Sequence, residues 1–387
     1  GILLGPEVTG LLNPESFGTP ALSAIVGLSV AIIVFEGAFH LRIDEMREAP
    51  RTAFRLVTVG ALIALVGTGV AVHYLLDVGW LVAFLVGSLL VATGPTVIAP
   101  ILDVVPVRDR VGIALDTEGI VNDVTAAISA VVIFEVITTG AAGPSALVAL
   151  FAERLGYGLL VGIAIAALLY YALQYVDLSP SNAPRNARLL VLAGALVAYA
   201  AANYLASESG VAAVAVAGIL LGNADVPYED EIAAFKGDVT LIVLSFVFIT
   251  LAALLKFSVL LELGVAGVGV VVVVALVLRP LLVFVSSAGD RFTRGEKLFM
   301  SFVGPRGIIP ASVATLFAIE LRSDAVGMPG AADVLVGTVF LTILLTVVFE
   351  AGLARQIAEK LNVIPMRVII VGGGSVGPAS RTEARTS

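Results

Sequence analysis

Long apolar runs alternate with short polar loops along the whole chain, and most of the runs have membrane-crossing length. A spanning helix needs about 20 apolar residues at 1.5 Å rise each. Eleven segments approach or meet that requirement: 20–39, 54–76, 79–103, 110–139, 146–176, 188–206, 209–222, 238–255, 263–288, 297–321 and 332–353. The segment 209–222 is short, so it is expected to span only steeply or where the bilayer is thin. The pattern predicts an all-α polytopic membrane protein.

The basic residues test this map. Alternating the loops between two sides puts 17 of the 22 Lys and Arg on one side and two, Lys256 and Arg322, on the other. Three more, Arg154, Arg279 and Arg306, fall inside spans. Positive charge collects on cytoplasmic loops. The rich side, which includes the C-terminus, is therefore expected to be cytoplasmic, as in a multi-pass protein of the plasma membrane. One span more or fewer would scramble the asymmetry.

Composition narrows the class. Of 387 residues, 59% are hydrophobic and 13% charged, and mean hydropathy is +1.06. Too little polar surface exists to coat a soluble core of this size. A soluble enzyme and a nucleic-acid binder are excluded for the chain as a whole. There is no cysteine, so disulfides and thiolate metal sites are excluded too. His40 and His73 are too far apart in sequence to suggest a metal site. The chain opens on Gly within an apolar fragment, Gly1–Pro6, and one or more earlier spans are expected to precede it.

Function must then reside in the few ionisable groups inside the spans, because each is costly there. They are Glu36, Asp116, Glu118, Asp123, Glu135, Arg154, Arg279 and Arg306, with Thr93, Asn122 and Asn203 as neutral companions. The densest group is Asp116-Thr117-Glu118-Gly119-Ile120-Val121-Asn122-Asp123. On a helix Glu118 and Asn122 share a face at i, i+4. Asp123 lies about 100° around from Asn122 and can address a different cavity. Asp116 has a second reading, an interfacial carboxylate paired with arginine. So has Glu36, at the cytoplasmic end of its span, against a role in cation entry. Arg279 is buried too deeply to stand alone and requires a carboxylate partner; Glu118 is the first candidate. Glu135 and Arg154 are expected at the periphery.

Two spans are interrupted. One carries Thr93-Gly94-Pro95, the other Gly304-Pro305-Arg306-Gly307. Proline removes a helix hydrogen bond and clashes with the preceding turn. In lipid the freed backbone groups need protein or a cavity to satisfy them. Gly/Pro-interrupted spans in separate halves of a chain point to a transporter site near mid-membrane.

These residues resemble the monovalent cation/proton antiporter superfamily, most closely its NhaP sodium/proton exchanger branch. The resemblance is carried by Phe35-Glu36-Gly37, Glu118 to Asp123, Arg279-Pro280 and Gly304 to Gly307, and it covers nearly the whole chain. It implies a thirteen-span layout of which these eleven are the third to the last, with inverted repeats and two crossed broken helices. It implies that residues 1–358 form the antiporter domain, with dimerisation spans and a core bundle that moves against them in a homodimer. It further implies that Asp123 carries cation and proton in alternation, supported by Asn122, with Thr93 and Glu36 lining the site and Glu118 paired structurally with Arg279. No cofactor is implied; Na+ or K+ and H+ are the transported species. Gly94 stands where the family often has Asp, and Gly119 where it often has Ser. Both replacements remove side-chain oxygens and leave Na+ and K+ open.

Near the C-terminus an apolar strand leads into Gly372-x-Gly374-x-x-Gly377, the opening of a dinucleotide-binding unit. It resembles the start of an RCK/TrkA-type regulatory domain, so residues 359–387 are read as linker and the truncated beginning of that domain. A nucleotide would bind only the longer domain, since a βαβ unit needs about 30 residues. The alternative function is a cation channel or a K+ efflux protein gated by such a domain. An intramembrane aspartyl protease is disfavoured, because Asp116 and Asp123 lie about 10 Å apart along one helix.

Overall fold

The computed structural model describes residues 2–39, 51–139, 144–175, 182–207, 209–253, 257–322 and 326–364. His40, Lys256, Gly372, Gly374 and Gly377 lie outside the described residues, as does nearly all of the C-terminal regulatory segment.

Every apolar segment drawn from the sequence is met by a helix or a helix pair. The helices are α1 Thr19–Phe39, α2 Arg51–Leu76, α3 Trp80–Leu89, α4 Pro95–Val104, α5 Asp109–Thr139, α6 Pro144–Tyr175, α7 Ala183–Leu205, α8 Ser209–Gly222, α9 Glu229–Ala253, α10 Phe257–Ser286, α11 Arg294–Phe302, α12 Ile308–Leu321, α13 Pro329–Thr346 and α14 Gly352–Lys360. The interrupted spans appear as the pairs α3/α4 and α11/α12. A π turn at Val347–Ala351 joins α13 to α14, and further π turns lie at Leu56–Gly60 in α2 and Val274–Leu278 in α10.

The helices sort into two bundles. α1, α6, α7, α8 and α9 pack mainly on one another, while α2 to α5 and α10 to α14 form the second group. A seam divides them, crossed chiefly where α5 and α12 meet α1, α6, α8 and α9. Glycines let the first bundle close tightly. A side chain at Gly218 or Gly222 would strike the α1 backbone at Phe35 and Phe39, and one at Gly158 or Gly162 would strike α8. Small residues of this kind set close helix approach in membranes.

One span boundary and one expectation change. α9 starts at Glu229 rather than near 238, because a helix continues past its apolar run. Glu229, Asp230 and Glu231 occupy its first turn, where the helix dipole favours negative charge. The α8 segment needs no thinned bilayer: it is enclosed by α1, α6 and α7, so protein rather than lipid sets its surroundings. Its N-terminal end is served locally. Asn203 Oδ1 accepts the Gly210 N–H at 2.7 Å, and Ser209 Oγ donates to Ala202 O at 2.7 Å.

Candidate functional site

The two interrupted spans cross at their breaks. The Gly94 N–H donates to Pro305 O at 3.0 Å, and Arg306 Nη1 donates to Ala92 O at 3.1 Å. A β-carbon on Gly94 would overlap the backbone of Gly307, so only glycine permits the approach. The N-termini of α4 and α12 and the C-termini of α3 and α11 all end at this crossing.

Three further backbone groups of the second break are met by side chains from other helices. Val303 O accepts from Arg279 Nη2 at 3.4 Å, the Gly304 N–H donates to Glu350 Oε2 at 2.8 Å, and the Arg306 N–H donates to Thr346 Oγ1 at 3.3 Å. Unwound backbone at membrane depth requires such partners. Gly304 also has no room for a side chain, since its β-carbon would lie 2.5 Å from Arg279 Nε.

Glu118 and Arg279 form a two-pronged ion pair: Nη1 meets Oε1, and Nη2 donates to Oε2 at 3.0 Å. Both side chains are buried. Arg279 follows directly on the π turn Val274–Leu278, and Pro280, which has no N–H, occupies the first turn beyond it. A π turn alters which side chains face the interior, and such turns recur at functional sites.

Beside this framework, α5 presents Asn122 and Asp123. Asp123 is only 3% exposed, and Asn122 and Thr93 are as deeply buried. Asp123 Oδ1, Asn122 Oδ1 and Thr93 Oγ1 have no hydrogen-bond partner among the described residues. Arg306 lies within electrostatic reach of Asp123, as it does of Glu350 and Glu118. Arg279 is matched by Glu118, whereas the Arg306 charge is shared among Glu350, Glu118 and Asp123, and among the described residues no ion pair is dedicated to the Asp123 carboxyl. Unpartnered oxygens from one carboxylate, one amide and one hydroxyl are hard donors suited to an alkali cation.

Glu36 comes from α1, in the other bundle. It is half-buried near the end of α1, facing Gly237 of α9, next to Gly37, which packs on Ile120 of α5. It lies on the seam between the bundles. Glu135 and Arg154, expected at the periphery, pair with each other.

Sequence reasoning missed Glu350 and Thr346. Glu350 lies inside the last drawn span, and an acidic residue within Val347-Val348-Phe349-Glu350 was itself a usable signal. It also missed a second buried cluster at the N-terminal ends of α5 and α11. There the fully buried Glu296 accepts from Arg108 Nη1 at 2.9 Å and from Arg110 Nη2 at 2.7 Å. Glu296 also completes a capping box with Thr293, and Arg110 lies 5.5 Å over the Phe292 ring. The signal was Thr293-x-x-Glu296 at a helix start.

Residues 1–360 match the family model described as "Sodium/hydrogen exchanger, transmembrane". The chain is 30% identical to Na(+)/H(+) antiporter 1 of Methanocaldococcus jannaschii, over 93% of this chain and 88% of that protein. It is 28% identical to the K(+)/H(+) antiporter NhaP2 of Shewanella sp. (strain MR-4), over 99% of this chain but 65% of that longer protein. The solved structure of the M. jannaschii sodium proton antiporter at pH 8 superposes with a TM-score of 0.81 at 28% identity, covering 93% of this chain and 90% of that one. The chain belongs to the sodium/hydrogen exchanger family, in the NhaP branch of the monovalent cation/proton antiporters.

Proposed function

We propose that the chain exchanges one Na+ or K+ for one proton by alternating access, with both ions competing for Asp123. One observation carries this reading: a carboxyl buried at the crossing of two broken helices, its Oδ1 unpartnered among the described residues. A buried, uncompensated charge is costly. Asp123 is therefore stable with a proton or with a metal cation, and the two exclude each other. Asn122 and Thr93 supply neutral oxygens to the cation. The Glu118–Arg279 pair holds α5 to α10 and steadies the break at Val303. Glu36, on the seam, contributes to the path by which cations reach the site. With Glu118, Glu350 and Asp123 set against Arg279 and Arg306, the cluster lacks one positive charge, so one cation replaces one proton and exchange moves no net charge.

The Lys/Arg asymmetry supports a cytoplasmic C-terminus in the plasma membrane, with residues 1–358 as the transport domain and 359–387 leading towards a nucleotide-binding regulatory domain. The second bundle moves against the first, and the first also forms the contact of a homodimer. The test is proton flux in proteoliposomes driven by Na+ or K+ gradients. Exchange is expected for the native chain and is expected to vanish in Asp123→Asn, with no accompanying current. Undiminished exchange in that variant overturns the assignment.

A further inference from the structure

On α5, Val124, Ile128 and Val132 form one stripe at i, i+4 and i+8, running from Asp123 towards the far end of the helix. Ile128 and Val132 are buried against Ala212 of α8, with Leu150, Phe151 and Leu155 of α6 packed around them. This apolar cluster lies in the seam, because α5 belongs to one bundle and α6 and α8 to the other. One turn beyond Val132, Glu135 pairs with Arg154 of α6. The other arm of Arg154, Nη1, donates to Ser207 O in the turn between α7 and α8 at 2.6 Å. The guanidinium is thus fixed to its own bundle by one arm and grips α5 by the other. Its side chain is 11% exposed and that of Glu135 is 35%.

We infer that this seam is the outer barrier of the transport path. An apolar plug of Val124, Ile128 and Val132 seals the route from Asp123, and the Arg154–Glu135 bridge latches it. The inference rests on the exchange reading above and names the residues that decide which face the site opens to. For outward access α5 must withdraw from α6 and α8. That movement breaks one bond of Arg154, to Glu135, while the bond to Ser207 O survives. The latch is small in energy because the pair is partly exposed, which suits a contact that must break in every cycle. Arg154 and Glu135 are positioning residues and touch no transported ion.

The chain lacks cysteine, so a single introduced thiol reports without background. Val132→Cys puts a slightly smaller side chain in the plug. The full chain in proteoliposomes is exposed to a membrane-impermeant thiol reagent from either face in turn. With the native pair, labelling is expected to be slow. Adding Glu135→Gln is expected to raise the rate about threefold, as loss of a partly exposed pair implies. The rise is expected only from the face that bears Ser207. Flux retained in the Glu135→Gln vesicles guards against misfolding, because an unfolded variant would not exchange. Equal labelling with and without Glu135, or a rise from the opposite face, overturns the latch. Proton flux measured on the same vesicles separates this outcome from failure of the exchange reading itself.

Discussion

The buried Glu118–Arg279 pair is the firmest part of the framework. Removing one member leaves a charge stranded in the interior, at a cost of about 3–5 kcal/mol, whereas removing both is far milder. Arg279→Met is therefore expected to lower the melting temperature in detergent sharply, and adding Glu118→Met to recover most of the loss. Additive losses would show that the two side chains are not coupled. Glu296 behaves differently because it sits at a helix end outside the apolar span. Burial alone would raise its carboxyl. The Thr293 N–H, the hydrogen bonds from Arg110 and Arg108 and the Arg110 charge outweigh that and hold it below its ordinary value. A carboxyl lowered by folding stabilises the fold above its unfolded titration, and that support is lost as pH falls through the folded value. Thermal melts from neutral to strongly acid pH should therefore show a loss in the acid range that Glu296→Gln largely removes. An identical pH profile for the variant would contradict the assignment.

The helix breaks were legible because Gly and Pro disrupt helices by local sterics. Thr93-Gly94-Pro95 and Gly304-Pro305-Arg306-Gly307 each sit at an observed interruption. The need of a deep arginine for a carboxylate likewise marked the partner of Arg279, since Glu118 lies on the same polar span as Asp123. Glu350 was harder to read. Its partner is the Gly304 N–H, 46 residues away, which becomes free only once α11 and α12 have separated. The π turn that carries Glu350, and the one before Arg279, depend on packing that no local pattern announces. Hydropathy also misplaced the start of α9, since it marks the lipid-facing stretch of a helix and not the helix itself. The crossing itself makes a sharp prediction. Gly94→Ala places a methyl in the backbone of Gly307 and is expected to cost about 1–3 kcal/mol and to abolish exchange. Gly156→Ala on α6, where a β-carbon meets nothing within 4 Å, is expected to be neutral. Equal tolerance at both positions, read by melting and by flux, would mean that the close approach of the two breaks is unimportant.

Taken together, the two bundles, the seam between them and the crossed breaks place the buried Asp123 carboxyl beside the crossing, on a helix that packs across the seam. Membership of the family explains the shared architecture. In the proposed reading, with Gly94 and Gly119 supplying no side-chain oxygen, the choice between Na+ and K+ falls to Asp123, Asn122, Thr93 and the backbone around them. The most direct test is the apparent KM for the cation as a function of pH in proteoliposomes. If proton and cation occupy Asp123 in turn, mass action requires KM to rise about tenfold for each unit of acidification below the carboxyl's own titration, at constant maximal rate. A KM that does not respond to pH, with exchange still running, would mean that the two ions use separate sites and would contradict the account.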